Sequence, residues 1–259
     1  MNIVVCVKQV PDSWAEKKLS STDSTLDRDS VDAVMNELDE YAVEEALRLQ
    51  EAHGGEVTIL TMGPDKAGET IRKALSMGAD KGVHVVDAAI HGSDAVATSA
   101  VLAAALGTLE WDLVILGIES TDARMSVVPA MVAERLGAPQ LSHAAKVEVD
   151  GSAVTIQRST ESGYDTVEAS TPAVVSVVEK INEPRYPSFK GIMAAKKKPV
   201  STLTLADLGL PADAVGLGGS WTAVDEFAAR PPRQAGTIVT DEGDGGQKLA
   251  EYLASQKFI

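Results

Sequence analysis

Short apolar runs alternate with amphipathic stretches along the first half of the chain. Continuous apolar runs predict buried strands at residues 2–8, 57–62, 83–86 and 113–117. Stretches with helical spacing predict helices at residues 38–52, 64–77, 93–109 and 129–136. Strands that are apolar throughout need cover on both faces, and strands that alternate with helices form parallel sheets. The pattern therefore predicts an α/β fold with a doubly wound, mostly parallel sheet.

The pattern changes in the second half of the chain. Three short β-like runs separated by turn residues predict an antiparallel extension of the sheet at 146–149, 154–158 and 166–169. A further apolar run at 173–178 predicts one more buried strand, and an amphipathic helix is predicted at 247–256. We predict an α/β domain over residues 1–199 and an extended C-terminal arm over residues 200–259. So long a stretch without a core either packs on its own domain, is disordered or wraps around a partner.

Composition and charge narrow the class of protein. The 259 residues include 38 Asp and Glu against 23 Lys and Arg, a net charge of −15, which argues against nucleic-acid binding. The single cysteine, Cys6, excludes an internal disulfide and suits a reducing compartment. The longest apolar stretch, residues 95–107, is too short for a membrane span, and we expect a cytoplasmic protein. The four scattered histidines show no metal-ligand spacing, so no metal site is predicted.

The loop after the fourth predicted strand, residues 117–128, is the best candidate for a phosphate site. The first strand has no glycine-rich dinucleotide loop after it, and the chain has no P-loop motif. Open α/β sheets bind ligands at the carboxyl ends of strands, and the amides of Ser126, Val127 and Val128 open a helix there. Arg124 adds a positive charge. The same residues also fit a plain polar loop, and Asn36 fits a plain helix cap. No catalytic constellation is visible.

A basic segment stands out in this acidic chain. Residues 180–199 carry six Lys and Arg against one Glu, a local charge of +5. Tyr186, Phe189, Ile192 and Met193 are interleaved with these charges. Apolar anchors inside a basic rim favour docking to an acidic protein surface. The alternative is a solvated loop followed by a lysine-rich helix end.

Five blocks of sequence carry a family resemblance. They are VVCVKQVPD (4–12), MNELDEYAVEEALRL (35–49), GPDKAGETIRKALSMGADKGVHV (63–85), LVILGIESTD (113–122) and NEPRYPSFKGIMAAKKK (182–198). Together they resemble the beta subunits of electron transfer flavoproteins, and the resemblance covers nearly the whole chain. The last block is the most specific of the five.

The resemblance implies a fold of the adenine-nucleotide-binding type and an electron carrier without catalytic residues of its own. Members of the family pair with an alpha subunit, which holds most of the redox FAD, and the C-terminal arm wraps that subunit. The beta subunit holds a structural AMP and shields one side of the flavin. The complex accepts electrons from acyl-CoA dehydrogenases and related flavoenzymes and passes them to a membrane quinone oxidoreductase. The chain itself is not expected to be embedded in the membrane.

The resemblance also implies which residues form the sites. The flavin-facing positions fall near Ser13 and Leu38, and Trp14 is the neighbouring aromatic residue. The cofactor-binding positions fall on Cys6, Asn36, Glu37, Leu38, Asp39, Met62, Gly63, Gly117, Glu119, Ser120, Thr121, Asp122, Arg124, Ser126, Val127 and Val128. The docking positions fall on Arg185, Tyr186, Phe189, Ile192 and Met193, with Phe189 where the family often has leucine.

Two departures from the family pattern leave alternatives open. Ala123, Arg124 and Met125 replace residues that include a glutamine in many members, and Ser159 follows Arg158 where a glutamate is common. Backbone contacts to a nucleotide survive such changes, whereas side-chain contacts from the glutamine do not. The pocket therefore holds AMP, a second FAD as in bifurcating members, or no ligand. A stand-alone adenine-nucleotide-binding regulator is the alternative from another functional class.

Overall fold

The computed structural model describes residues 1–233, 235–236 and 238–259. The strands are β1 (Asn2–Cys6), β2 (Gln9–Pro11), β3 (Ala33–Met35), β4 (Glu56–Met62), β5 (Lys81–Val85), β6 (Leu113–Gly117), β7 (Gln140–Asp150), β8 (Ala153–Thr160), β9 (Gly163–Ser170), β10 (Ala173–Val177) and β11 (Val200–Leu203). The helices are α1 (Glu37–His53), α2 (Gly68–Met77), α3 (Ala95–Leu106), α4 (Val128–Leu136), α5 (Phe189–Ala195), α6 (Gly216–Gly219) and α7 (Gly245–Ser255).

The central sheet has the order β11-β5-β4-β1-β6-β10-β7-β8-β9. Its pairs are parallel from β11 to β7, and the pairs β7–β8 and β8–β9 are antiparallel. The chain runs from β1 outward through β4 and β5, and then returns to β6 on the other side of β1. The direction of winding therefore switches between β1 and β6, where open α/β sheets form a ligand crevice. The predicted doubly wound sheet with an antiparallel extension is confirmed.

Helices cover both faces of the sheet. Successive strand residues point to opposite sides, so Ile3 and Val5 pack in one core cluster and Val4 in the other. The first cluster contains residues of α1 and α2, and the second contains residues of α3 and α4. Burial on both sides explains why these strands are apolar throughout rather than alternating.

Several elements differ from the sequence-based expectations. After β1 the chain forms a small antiparallel sheet of two strands, β2 and β3. Residues 12–32 connect these two strands. Strand β7 begins at Gln140 rather than 146, because its first half pairs with the parallel strand β10 before its second half pairs with β8. A short 3-10 turn, Asp65–Ala67, precedes α2, so the helix predicted from residue 64 begins at Gly68.

The segment after residue 199 also differs from the predicted arm. Strand β11 pairs with β5 in parallel, and Leu205 and Val215 are buried, so residues up to Asp225 belong to the same compact unit as the sheet. The boundary predicted at 199/200 therefore lies inside this first unit, Met1–Asp225. A four-residue strand at the edge of a sheet carries too little pattern to be predicted from the sequence.

The second unit, Glu226–Ile259, contains α7. Leu249 and Tyr252 of this helix are exposed, which is the amphipathic face expected of residues 247–256. Across the described part of the chain, no helix is both long enough and apolar enough to span a membrane.

Candidate functional site

The crevice between β1 and β6 is closed on one side by the first turn of α1. Cys6, the last residue of β1, lies beside Leu116 of β6, and Gly117 ends β6. A Cβ atom on Gly117 would lie 2.5 Å from Asp39 Oδ1 and 2.8 Å from the carbonyl carbon of Leu38. Glycine is therefore required for α1 to come this close to the end of β6.

Asn36 joins the start of α1 to the 117–128 loop. Its Nδ2 donates to the Glu119 carbonyl at 2.9 Å, and its Oδ1 accepts from the Thr121 amide at 3.0 Å. The side chain is buried and makes no capping hydrogen bond to the helix that follows. The interpretation of Asn36 as a plain side-chain cap is wrong, because its amide group is used across the crevice.

Asp39 holds the end of β1 from the opposite side. Its Oδ2 accepts from the Lys8 amide at 2.8 Å, and its carboxyl group is buried. Burial raises the pKa of Asp39 to about 7, against the opposing effect of hydrogen bonds from Asn36 and from the amides of Lys8 and Gly117. The carboxyl group thus links β1, β6 and α1 at the floor of the crevice.

Asp122 of the 117–128 loop is a buried carboxylate that pairs with two partly exposed cations. Its two oxygens pair with Lys8 Nζ at 2.8 Å and with Arg28 Nη2 at 2.7 Å, and its side chain is 1% exposed. Burial alone would raise the pKa of Asp122, but the charge of Lys8, followed by its hydrogen bond and the charge of Arg28, holds this pKa at about 2. Lys8 Nζ also donates to Ser120 Oγ at 3.2 Å. The cluster carries two positive charges against one negative charge.

Residues 12–32 follow the carboxyl edge of the sheet. Besides the Arg28 contact, Asp29 accepts from Lys66 Nζ at 2.6 Å and Asp23 contacts His91 Nε2 at 2.8 Å. Lys66 and His91 lie in the connections that leave β4 and β5. These three side-chain contacts connect the segment to the edge of the sheet beside the crevice.

The far end of the 117–128 loop leads into α4. Ser126 Oγ donates to Glu119 Oε2 at 2.8 Å, and both Arg124 and Ser126 adopt positive φ angles of 50° and 55°. Val127 precedes α4 and has no side-chain capping bond. The Arg124 and Met125 side chains are exposed at the bend. The start of α4 therefore has backbone donors that no N-cap side chain satisfies.

The remaining predicted positions lie along the same edge. Met62 ends β4, and the Gly63 amide donates to the Val85 carbonyl at 3.1 Å. The Cys6 thiol is buried, and its burial raises its pKa, so the thiol is neutral and suits packing rather than nucleophilic chemistry. Glu37 is exposed at the first turn of α1, where it accepts from Ser13 Oγ at 3.0 Å.

The residues of this crevice fit the phosphate and hydroxyl groups of a nucleotide. Within the described residues, Thr121 Oγ1 is buried and has no hydrogen-bond partner. A buried hydroxyl without a partner is unfavourable, and a ligand hydroxyl would satisfy it. The uncapped start of α4 offers backbone donors that suit an anion. Lys8 and Arg28 are the site residues that sequence reasoning missed. Lys8 directly follows β1, which is a usable signal, whereas Arg28 lies in a segment without any periodic pattern.

The exposed apolar residues of the 182–198 segment gather on one side of α5. Tyr186 is 95% exposed and Phe189 is 80% exposed, and Ile192 and Met193 are exposed as well. Positions 189, 192 and 193 share a helix face because they are three and four residues apart. Ser188 caps the helix by accepting from the Gly191 amide at 3.0 Å. Phe189, Ile192 and Met193 are therefore presented together, and Tyr186 is exposed in the loop before the helix.

Unlike the other predicted docking residues, Arg185 is directed back onto its own subunit. Its guanidinium group turns back onto α1 and contacts the carboxylates of Glu44 and Glu51. Lys198 is also engaged within the chain, because its Nζ donates to the carbonyls of Leu75, Gly78 and Ala79. The exposed positive charge of the segment comes instead from Lys190, Lys196 and Lys197.

Comparisons with known proteins agree with this architecture. The family model described as the electron transfer flavoprotein domain matches residues 23–208. Proteins named electron transfer flavoprotein subunit beta are 55% identical in Mycobacterium leprae and 54% identical in Mycobacterium tuberculosis (strain ATCC 25618 / H37Rv), each over 100% of this chain and 99% of the relative. The caffeyl-CoA reductase-Etf complex subunit CarD of Acetobacterium woodii is 35% identical over 99% of this chain and 97% of its own. The chain therefore belongs to the beta subunits of the electron transfer flavoprotein family.

Proposed function

We propose that this chain binds AMP at the β1–β6 crevice and pairs with an alpha subunit that holds most of a redox FAD. In this complex it carries electrons in the cytoplasm rather than catalysing a reaction of its own. The observation that carries the proposal is the attachment of the 117–128 loop to Asn36 at the winding switch of the sheet. This attachment holds the loop against the start of α1 at the carboxyl edge of the sheet. The family assignment supplies the class of protein, an electron carrier.

The phosphate of AMP is assigned to the backbone amides at the start of α4. Amides of Val127 and Val128 suit a phosphate because the helix dipole and the uncapped N–H groups both favour an anion. The Thr121 hydroxyl is available for a ligand hydroxyl. These contacts need no glutamine side chain, so the residues at 123–125 are compatible with binding. Exposed Arg124 adds a positive charge at the rim.

The flavin is assigned to the side of the crevice near Ser13 and Leu38. When bound, FAD supplies the redox chemistry, and the residues of this chain orient it and exclude water from one face. Ser13 is held in place by its hydrogen bond to Glu37. Exposed Leu249 and Tyr252 of α7 provide an apolar face that suits a partner chain, which supports an arm that wraps the alpha subunit.

Docking to acyl-CoA dehydrogenases is assigned to the apolar face of α5 and its lysines. Exposed aromatic and methionine side chains within a positive rim suit an acidic partner surface. Electrons would then pass to a membrane quinone oxidoreductase. Transfer depends on docking and proximity, so the chain needs no acid–base machinery for this role.

The test is coexpression with the alpha subunit, followed by release and quantification of nucleotides per heterodimer. One FAD and one AMP would support the proposal. Two FAD without AMP would overturn the AMP assignment in favour of a bifurcating carrier. FAD alone would show that the crevice has lost its ligand. Failure to copurify with any flavin-bearing partner would favour a stand-alone adenine-nucleotide-binding regulator.

A further inference from the structure

We propose that Arg185 is a positioning residue for docking, and that its ion pair with Glu44 of α1 fixes the 182–198 segment in the conformation that presents Phe189. This inference rests on the docking role proposed above. It assigns Arg185 a role inside the subunit rather than a contact with the dehydrogenase.

The Arg185 guanidinium group and the Glu44 carboxylate form a bidentate ion pair. Arg185 Nε donates to Glu44 Oε2 at 2.7 Å, and Nη2 donates to Glu44 Oε1 at 3.0 Å. The Arg185 backbone amide donates to the same Glu44 Oε2 at 3.1 Å. Paired parallel bonds of this kind fix orientation as well as distance. Main chain and side chain of Arg185 are thus held by one carboxylate.

Glu51 contributes a second, outer carboxylate. Its oxygens accept from Nη1 and Nη2 of Arg185 at 2.5 and 3.2 Å. The hydrogen bond from Arg185 lowers the pKa of Glu51, and the two carboxylates raise the pKa of Arg185. The guanidinium group is therefore engaged on both of its donor edges by α1.

The 182–198 segment is fastened at both of its ends. Near its start, Asn182 Nδ2 donates to the Tyr41 carbonyl and to Glu45 Oε2, each at 3.0 Å. At its end, Lys198 Nζ donates to three carbonyls at the end of α2 at 2.6 to 3.0 Å. Between these attachments a Cβ on Gly191 would lie 2.4 Å from the Ser76 carbonyl oxygen, so α5 rests directly on α2. Fixing a recognition segment before binding reduces the ordering entropy lost on docking.

A substitution of Glu44 can distinguish a positioning role of Arg185 from a direct contact between Arg185 and a partner. The Glu44 side chain is only 7% exposed, so a partner protein has little access to it. A substitution of Glu44 therefore acts on docking through Arg185. Loss of the Glu44 pair leaves Arg185 bound only to the exposed carboxylate of Glu51. Docking then weakens if Arg185 positions the segment, and it is unchanged or improved if Arg185 contacts the partner.

The deciding experiment uses Glu44→Gln in the heterodimer with its alpha subunit. The KM and kcat for reduction of the bound flavin by an acyl-CoA dehydrogenase are measured with excess butyryl-CoA as reductant. We expect KM for the heterodimer to rise about fivefold, with kcat and FAD content unchanged, as for loss of one coupled contact. Arg185→Lys keeps the positive charge but loses the bidentate geometry of the guanidinium group. Its KM should lie between those of the wild type and Glu44→Gln. An unchanged or lower KM for Glu44→Gln would overturn the inference.

Glu40→Gln is the matched control, because it makes the same change in the same helix. Glu40 pairs with Lys73 of α2, and among the described residues it makes no hydrogen bond or ion pair with the 182–198 segment. Its KM should stay within about twofold of the wild type, since exposed pairs contribute little. A KM rise in the control equal to that of Glu44→Gln would also overturn the inference, because the effect would then come from helix charge alone.

Two further variants keep the outcomes distinct. Phe189→Ala tests the docking surface itself. An unchanged KM for this variant would show that the proposed docking face is wrong, and the positioning role of Arg185 would then be wrong as well. A raised KM for Phe189→Ala with an unchanged KM for Glu44→Gln removes the positioning role alone. If Glu44→Gln fails to assemble, Glu44→Asp is used instead, because it keeps a negative charge near this position, shortens the side chain and leaves Arg185 in place. A smaller rise in KM is expected for it, and an unchanged KM would overturn the inference.

Discussion

The backbone amide of Thr121 donates to the side-chain oxygen of Asn36 at 3.0 Å, although the two residues are 85 positions apart. With the second bond, from Asn36 Nδ2 to the Glu119 carbonyl, the amide side chain spans the crevice at the winding switch. The 117–128 loop, which Asp122 ties to Lys8 and Arg28, is thereby attached to the start of α1 as well. The shape of the candidate nucleotide site depends on both attachments.

Replacing Asn36 with alanine removes both bonds to the 117–128 loop. We expect the Asn36→Ala heterodimer to keep FAD but to lose most of the proposed AMP, because residues 119–121 of the loop lose their attachment to α1. The free energy of unfolding should fall by about 1–3 kcal/mol, as for buried groups left without partners. Nucleotide release from purified heterodimer, with chemical unfolding alongside, measures both effects.

Asn182→Ala is the control for this variant. Asn182 is also a partly buried asparagine that donates to a backbone carbonyl, that of Tyr41, but it lies outside the crevice. AMP content should match that of the wild type. Equal loss of AMP in both variants would mean that general destabilisation, rather than the loop attachment, controls binding.

Gly117→Ala should disturb the contact between β6 and α1. The added Cβ would lie 2.5 Å from Asp39 Oδ1, closer than any ordinary contact, so helix or strand must move. Overpacking of this kind typically destabilises by about 1–3 kcal/mol. Thermal unfolding should show a lower midpoint for Gly117→Ala. Gly218→Ala, which has no atom within 4 Å of the added carbon, should unfold at nearly the wild-type temperature.

The Asp122 cluster should make stability depend on acidity in a defined window. The folded pKa of Asp122 lies at about 2, below its usual 3.8, so its stabilising effect is complete above about pH 4 and is lost as pH falls towards 2. The shift corresponds to about 2 kcal/mol of the free energy of unfolding. Asp39 acts in the opposite sense, because its raised pKa of about 7 makes its contribution to stability fall as pH rises from about 4 to 7. Asp39 is present in both wild type and Asp122→Asn, so its contribution cancels in the difference between them.

Denaturant unfolding of wild type and Asp122→Asn at a series of pH values tests this dependence. The variant should be less stable at pH 6, and the difference between the two proteins should shrink between pH 4 and pH 3. A difference that stays constant over this interval would show that the Asp122 ion pairs with Lys8 and Arg28 do not set the acid sensitivity.

Phe189→Ala should weaken docking without disturbing the fold. The side chain is 80% exposed, so its removal leaves no cavity in the subunit. Truncating a central apolar anchor should raise KM for reduction by an acyl-CoA dehydrogenase about tenfold or more, while FAD content stays the same. Tyr164→Ala, an exposed aromatic on β9 away from this segment, should leave KM unchanged. Loss of FAD together with the rise in KM would point to an assembly defect and would count against the docking assignment.

The parts of the fold that follow from the sequence are those with a strong local pattern. The strands around Ile3, Ile59 and Ile115 are apolar on both faces, so their burial and parallel pairing can be predicted. The position of the 117–128 loop follows from its place after such a strand. The family resemblance put Asn36 among the cofactor-binding positions, but its attachment to the loop could not be predicted, because a helix cap and a cross-crevice anchor look alike in sequence.

The parts that could not be predicted depend on contacts between distant segments. Arg28 reaches Asp122 from a segment without periodicity, and nothing in its neighbours marks the pairing. Arg185 stands among apolar anchors and lysines, so its sequence context suggests an outward side chain. Its partner Glu44 lies 141 residues earlier, and only the three-dimensional fold turns the guanidinium group inward.

Helix α1 carries both attachments, with Asn36 at its first turn and Glu44 further along the same helix. The two positions are eight apart along the helix, a rise of about 12 Å. Helix α1 therefore contacts both the loop of the candidate nucleotide site and the segment proposed for docking. Two surfaces that are far apart in the sequence take their positions from the same helix.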